Sequence, residues 1–508
     1  SNFRSSSGTD TQTVNQATTT TTVATTPDPS VVGQPVAFTA TVAPVAPGAG
    51  TPTGTVTFTF GDGTATAPAP LVNGVATTQH TYSAAGPYTV TAAYGNDSNF
   101  RSSSGTDTQT VNQATTTTTV ATTPDPSVVG QPVAFTATVA PVAPGAGTPT
   151  GTVTFTFGDG TATAPAPLVN GVATLTHTYA TRSGSPFTVT AAYNGSPDHA
   201  PSAGTDTQTL NRATTTTALT SSPNPCVAGQ PVTLIATVAP AAPATGTPTG
   251  TVTFTWGDGT ASTSAPLVNG VATLTHTYAT RSGSPFTVTA AYGGDTSYTT
   301  SSGTGTQTVN QATTATTVTS TPDPSGIGQQ VTATAAVAAA APASGTPPGT
   351  VTFSFGNGTA PVTAALANGV ATATTTYSGT TGSPFSITAA YGGETGYAPS
   401  TGTDTQTVSG AATTTSVTTS PNPSRPGNKI TTTATVAVVP PATGTPTGYV
   451  TLTLADRETQ VLPLKGGIAT TTFTSVDPGT YPVTATYSGT GTFAPSTGTT
   501  TQIVNQPS

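Results

Sequence analysis

Three acids, Asp62, Asp159 and Asp258, recur in the same Gly-Asp-Gly-Thr run. Hard carboxylate and carbonyl oxygens gathered in a turn suit a calcium ion. Other acids, Asp97, Asp198, Asp295 and Glu394, fall near the end of successive stretches of similar sequence, and a third set, Asp28, Asp125 and Asp323, lies in Pro-Asp-Pro turns. Facing each other across a junction, the second and third sets would make weak calcium sites. The metal candidates are therefore Asp62, Asp159, Asp258, Asp97 and Asp295, and calcium is the one cofactor they suggest. The competing reading is structural. An Asp in a tight turn bonds its own backbone, and the fourth Gly-x-Gly run carries Asn357 instead of an acid.

His80, His177 and His276 recur at one position, which invites a zinc or acid–base role. Zinc needs three or four ligands converging at about 2 Å, and copies one domain apart cannot converge. Cys226 occurs once, where the other copies have Ser30, Ser127, Ser325 and Ser424. A nucleophile also needs a partnered base and an oxyanion site. No such constellation is present, so the chain reads as a non-enzyme.

The elements that hold these residues are repeated. Residues 15–77 recur letter for letter at 112–174, and a unit of about 97 to 99 residues is written five times. Each copy closes on a Thr-Gln-Thr-Val-like run, which divides the chain into 15–111, 112–210, 211–309, 310–408 and 409–504. A unit of this length is a whole small domain and not a solenoid turn. Residues 1–14 repeat 98–111 and read as the closing strand of a preceding copy, with 505–508 as a tail.

Composition excludes several classes of function. Charged residues make up 5% of the chain and the net charge is -8, with no basic stripe for phosphates, so nucleic acid is not an expected partner. No apolar run approaches the ~20 residues of a membrane-spanning helix. Any export or anchoring signal is expected outside these 508 residues. With one cysteine there is no internal disulfide, so each domain must hold together by its core.

Strict apolar alternation marks the strands. In Thr55–Phe60 it turns Val56, Phe58 and Phe60 to one face; in Pro35–Val42 it turns Val36, Phe38, Ala40 and Val42 inward; Tyr88–Tyr94 alternates likewise. Asn73-Gly74 suits a tight hairpin and supplies two more short strands. The Thr run ending at Val23 and the Thr-Gln-Thr-Val run open and close the unit as edge strands. About seven strands in ~97 residues, with no helical period, predict an all-β tandem array of five Ig-like antiparallel β-sandwiches forming an extended rod.

Gly-Thr-Val-Thr-Phe, Leu-x-Asn-Gly-x-Ala and the run 286–295 resemble bacterial Ig-like domain repeats of surface proteins, across all five units. Trp256-Gly257-Asp258-Gly259-Thr260 and Thr275-His276-Thr277-Tyr278 also resemble the PKD domain signature. The fifth unit departs from that pattern, with Leu454-Ala455-Asp456-Arg457-Glu458 at the turn and no histidine. Asp456-Arg457-Glu458 is similar to a fragment of the cadherin calcium motif, whose other acidic clusters are missing. Phe60, Phe157, Trp256, Phe355 and Leu454 exchange only apolar side chains, as a core position would.

The resemblance implies an exported bacterial protein at the cell surface. Joints as short as Asn112-Gln113-Ala114 are not Gly/Ser tethers. The expected role is a semi-rigid stalk or fibre segment presenting an adhesive or other head, with neighbouring repeats or copies of itself as partners. The alternatives are a multivalent array binding surface glycan or protein, or a filament assembled by donor-strand exchange through residues 1–14. Exposed threonines would accept O-glycans, although their β-propensity explains their abundance.

Overall fold

A computed structural model describes residues 3–454, 458–474 and 477–506, all strand, turn or irregular chain with no helix. The first repeat contains β1 (Thr19–Thr26), β2 (Ser30–Val31), β3 (Pro35–Pro44), β4 (Thr55–Thr59), β5 (Ala69–Pro70), β6 (Val75–Thr81), β7 (Gly86–Tyr94) and β8 (Ser103–Asn112). One sheet has the order β1-β3-β6 and the other β2-β8-β7-β4-β5. The remaining repeats reproduce this pattern, so the chain is a series of five Ig-like β-sandwiches.

The alternation read from the sequence is the alternation of burial. Val36, Phe38, Ala40 and Val42 on β3 face Val56 and Phe58 on β4, with Phe60 just beyond it, and Val90, Ala92 and Tyr94 on β7; all are buried. Their outward neighbours are mostly Thr and Ala, which explains how so few charges suffice. The β-branched Thr favours the pleated backbone while its hydroxyl meets water.

Two details differ from the sequence reading. Asn73 (φ 52) and Gly74 (φ 77) do form a two-residue turn, closed by reciprocal Val72 and Val75 backbone bonds of 2.9 and 3.1 Å. The flanking strands do not pair as a hairpin, however: β5 belongs to β4's sheet and β6 to β3's. The turn carries the chain from one sheet to the other. The closing strand β8 is also not an edge, because the short β2 runs parallel beside it, Ser30 opposite Val111 and Val31 opposite Asn112.

β1 and β8 approach so closely that a Cβ on Gly105 would lie 2.1 Å from the Thr21 carbonyl oxygen. Gly204, Gly303, Gly402 and Gly498 face Thr118, Thr217, Thr316 and Thr415 in the same way. Glycine is needed there because no side chain fits between the strands. Residues 3–14 show what that environment contributes. They match 100–111 letter for letter, yet form no strand, and Phe3 is 98% exposed where Phe100 is 6% exposed.

Candidate functional site

The Gly-Asp-Gly turn follows β4, and β6 runs past it in the facing sheet. Asp62 Oδ1 accepts the Thr64 amide (2.9 Å) and hydroxyl (2.5 Å), and Asp62 Oδ2 lies 2.6 Å from His80 Nε2. An ionised carboxylate only accepts, so Nε2 carries the hydrogen of that contact. The imidazole stacks on Phe60 at 4.1 Å and meets the edge of Tyr82, whose hydroxyl donates to the Phe60 carbonyl at 3.0 Å. Burial opposes ionisation of Asp62, but the Thr64 and His80 hydrogen bonds outweigh it and hold the carboxyl below its ordinary value.

Asp159 with His177 and Asp258 with His276 repeat the pair at 2.7 Å, each imidazole stacked on Phe157 or Trp256. In the fourth repeat both members change together: Asn357 Nδ2 donates to Thr375 Oγ1 at 3.1 Å. In the fifth, Phe473 takes the histidine position and is buried, while Asp456 and Arg457 lie outside the described residues. The histidines, dismissed from the sequence because they are far from one another, are each held by an acid 18 residues away. The signal was the joint change of positions 62 and 80 between copies.

The later acids are occupied too. Asp97 Oδ2 accepts the Thr53 amide and hydroxyl at 3.0 and 2.6 Å, and its Oδ1 accepts the Asn99 and Phe100 amides at 2.6 and 2.8 Å. Asp295 is held identically by Thr249, Ser297 and Tyr298. For Asp97 the Thr53 hydroxyl bond leads in lowering the pKa; for Asp295 burial is the largest influence, but the Thr249, Ser297 and Tyr298 bonds overcome it.

Asp198, grouped with these from the sequence, is different. Ser196 stands in the position of Asp97, and Asp198 reaches across to the first repeat, where its Oδ1 accepts the Ala85 amide at 2.9 Å. Glu394 pairs its backbone with Tyr397. The Pro-Asp-Pro acids turn inward to their own repeats: Asp28, Asp125 and Asp323 accept the amides of Thr110, Thr209 and Thr407 at 2.8–2.9 Å. Among the described residues no group of three acids, histidines or cysteines is arranged to hold a metal ion.

A polar feature present in every copy went unrecognised in the sequence, where the closing Gln counted only as strand. Gln109, Gln208, Gln307, Gln406 and Gln502 are fully buried. Gln109 Nε2 donates to the Pro27 carbonyl (3.1 Å), Ser30 Oγ (3.1 Å) and Thr110 carbonyl (3.0 Å). Cys226 replaces that serine in the third repeat; it is buried, and burial pushes its thiol pKa up, the opposite of what a nucleophile needs.

The joints between repeats contain almost no free chain. Asn112 still pairs with β2, Gln113 Nε2 donates to the Ser196 carbonyl at 2.7 Å, and the Ala114 amide donates to the Asp198 carbonyl at 2.9 Å. Beyond the joint, a glycine turn of one repeat receives a loop of the next. The Ala146 amide donates to the Val32 carbonyl (3.1 Å), Thr245 Oγ1 to the Gly130 carbonyl (2.8 Å) and Ser344 Oγ to the Gly229 carbonyl (2.7 Å). The fourth and fifth repeats are tied by Thr380 Oγ1 to the Gly491 carbonyl at 3.0 Å.

The eight N-terminal Ig domains of Down Syndrome Cell Adhesion Molecule share 14% identity over 97% of this chain and 60% of that one, with a TM-score of 0.23. Native E. coli alpha-2-macroglobulin shares 12% identity over 96% of this chain and 40% of that one, with a TM-score of 0.20. The chain thus spans less than two thirds of either protein. No curated protein sequence matches it. The model of the bacterial Ig-like domain (group 3) matches residues 22–112, 118–211, 219–310, 318–409 and 417–505. With five matches covering most of its length, the chain belongs to the bacterial Ig-like domain family, group 3.

Proposed function

We propose that this array is a structural stalk: a semi-rigid spacer in an exported bacterial surface protein, holding an adhesive or other head away from the surface. The bonded joint carries this reading. A joint such as Asn112-Gln113-Ala114, whose residues are all hydrogen-bonded, followed by a contact between a loop of one repeat and the next, transmits orientation from domain to domain, unlike a flexible linker. Ig-like repeats are typically structural modules, and the acids and histidines described above are bonded to the turns and loops of their repeats. The aromatic side chains, which a glycan-binding array would display, mostly face the cores. Each of these five sandwiches also has its own closing strand, so none of them calls for a strand from a neighbouring chain.

The acids act in this reading as locks and not as calcium ligands. The Gly-Asp-Gly-Thr and His-Thr-Tyr runs, with their PKD-like look, form a single lock joining the two sheets. Small-angle scattering with and without a chelator tests both parts: an extended particle whose dimensions ignore the chelator supports them, and a compact or chelator-sensitive one opposes them.

A further inference from the structure

Besides the paired linker, three of the four joints are held at two further points. At the first, the glycine turn ahead of β3 or its counterpart receives a loop of the next repeat: the Ala146 amide, Thr245 Oγ1 and Ser344 Oγ donate to the Val32, Gly130 and Gly229 carbonyls. A Cβ on Gly33, Gly130 or Gly229 would lie 2.6, 2.3 or 2.2 Å from that loop. The second point lies in the loop between β6 and β7 and its counterparts. There the Ala85 amide donates to Asp198 Oδ1 at 2.9 Å and the Arg182 amide to Ser297 Oγ at 3.4 Å. In the third joint Gly396 packs so near this loop that a Cβ on it would lie 3.1 Å from the Ala279 carbonyl oxygen.

The fourth joint keeps the linker and the second point, where Thr380 Oγ1 donates to the Gly491 carbonyl at 3.0 Å, and loses the first. A Cβ on Gly328 would meet only Ala442 Cα, at 3.6 Å, an ordinary contact. Thr443 stands where Thr245 and Ser344 stand, but it is exposed, and among the described residues no hydrogen bond joins the Gly328 turn to the loop 439–444. What meets there is apolar, Ala442 packing against the cluster that holds Ile327. Apolar contact is non-directional. It keeps the two surfaces together without fixing their rotation.

We infer that the fourth joint is an elbow, at which the fifth repeat rocks about the line from the linker to the Thr380 contact while the first four repeats turn as one body. A linker and one contact leave rotation about the line through them, and the glycine-turn contact of the other joints removes it. The inference deepens the stalk reading and rests on it: a spacer with one elbow presents its fifth sandwich over a range of angles, whereas a straight one fixes it.

Spin-label distances on the full chain, in a Cys226→Ser background, test this. Thr306→Cys with Thr405→Cys spans the third joint and Thr405→Cys with Thr501→Cys the fourth, at equivalent exposed positions of the closing strands. The distribution across the fourth joint should be about twice as wide as that across the third, because the contact that blocks rocking is missing. Gly229→Ala, which drives a Cβ into the Ser344 carbonyl, should widen the third joint to the width of the fourth. Gly328→Ala carries the same left-handed backbone strain but meets only Ala442 Cα, so the fourth joint should keep its width. Thr380→Ala, which removes one hydroxyl bond, should widen the fourth joint further and leave the third unchanged.

Equal widths across the two joints before either glycine is changed would overturn the elbow. So would a third joint that stays narrow with Gly229→Ala, or a fourth that responds to Gly328→Ala and ignores Thr380→Ala. Scattering on the same labelled proteins separates the two ideas. A compact chain sinks the stalk, whereas an extended chain with equal widths at both joints sinks only the elbow.

Discussion

The Thr245 hydroxyl donates to the Gly130 carbonyl at 2.8 Å, tying the third repeat to the second. Gly130 has φ +76, and a Cβ on it would lie 2.3 Å from the Thr245 carbonyl oxygen. Gly427, its counterpart in the fifth repeat, has φ +81 and nothing within 4 Å. Gly427→Ala should therefore cost only the left-handed backbone penalty, about 1 kcal/mol. Gly130→Ala adds a clash with backbone that the loop must escape by moving. Spin labels on Thr207→Cys and Thr306→Cys in a Cys226→Ser background should show a broadened distance distribution with Gly130→Ala and none with Gly427→Ala. Equal distributions would mean that the contact does not orient the repeats.

The acid–histidine pair is a stabilising lock between the two sheets. His177→Ala removes a hydrogen bond to a carboxylate and a ring stacked on Phe157 at 4.0 Å, a loss of about 1 to 2 kcal/mol. For one domain of this size each kcal/mol lowers the melting temperature by about 4–8 °C. Calorimetry should show one repeat's share of the unfolding enthalpy shifting down.

The fourth repeat offers the reverse experiment. Asn357→Asp with Thr375→His should stabilise it by more than the two single changes added together, because each alone leaves a mismatched partner. Additive single effects in a double-mutant cycle would show that the pair is not coupled.

Stability should fall at both extremes of pH. The folded pKa values of Asp62, Asp159, Asp258, Asp97 and Asp295 lie below the ordinary carboxylate value. Their contribution is complete above the unfolded value of about 3.9 and disappears as pH drops through the lower folded values, because the unfolded chain takes up protons first. At the other end, burial pushes Tyr94 and Tyr278 up to about 12. Their contribution is present below the unfolded value of about 10 and is lost as pH rises toward 12. Melting temperature should stay flat with respect to these groups between about pH 5 and 9. Asp295→Asn should reduce the acid-side loss.

The sandwich was legible in the sequence because burial in a strand follows a period of two, and Val56, Phe58 and Phe60 display it without interruption. Sheet membership was not. Asn73-Gly74 specifies a tight turn, but nothing in two residues says whether the strands beside it pair or part into different sheets. The lock between Asp62 and His80 was hidden for a related reason. The residues lie on facing sheets, and only the paired change to Asn357 and Thr375 hints that they meet. Gln109 looked like one more polar residue on a Thr-rich strand, since alternation alone does not show that its amide satisfies the turn ahead of β2.

Small-angle X-ray scattering on the intact chain tests the stalk most directly. Five sandwiches of about 40 Å in line give a length near 200 Å and a radius of gyration of about 55–60 Å, whereas a compact chain of this size would have about 23 Å. A distance distribution with a long, linear tail ending near 200 Å is the predicted result. A symmetric distribution with a radius of gyration close to the compact value would contradict it.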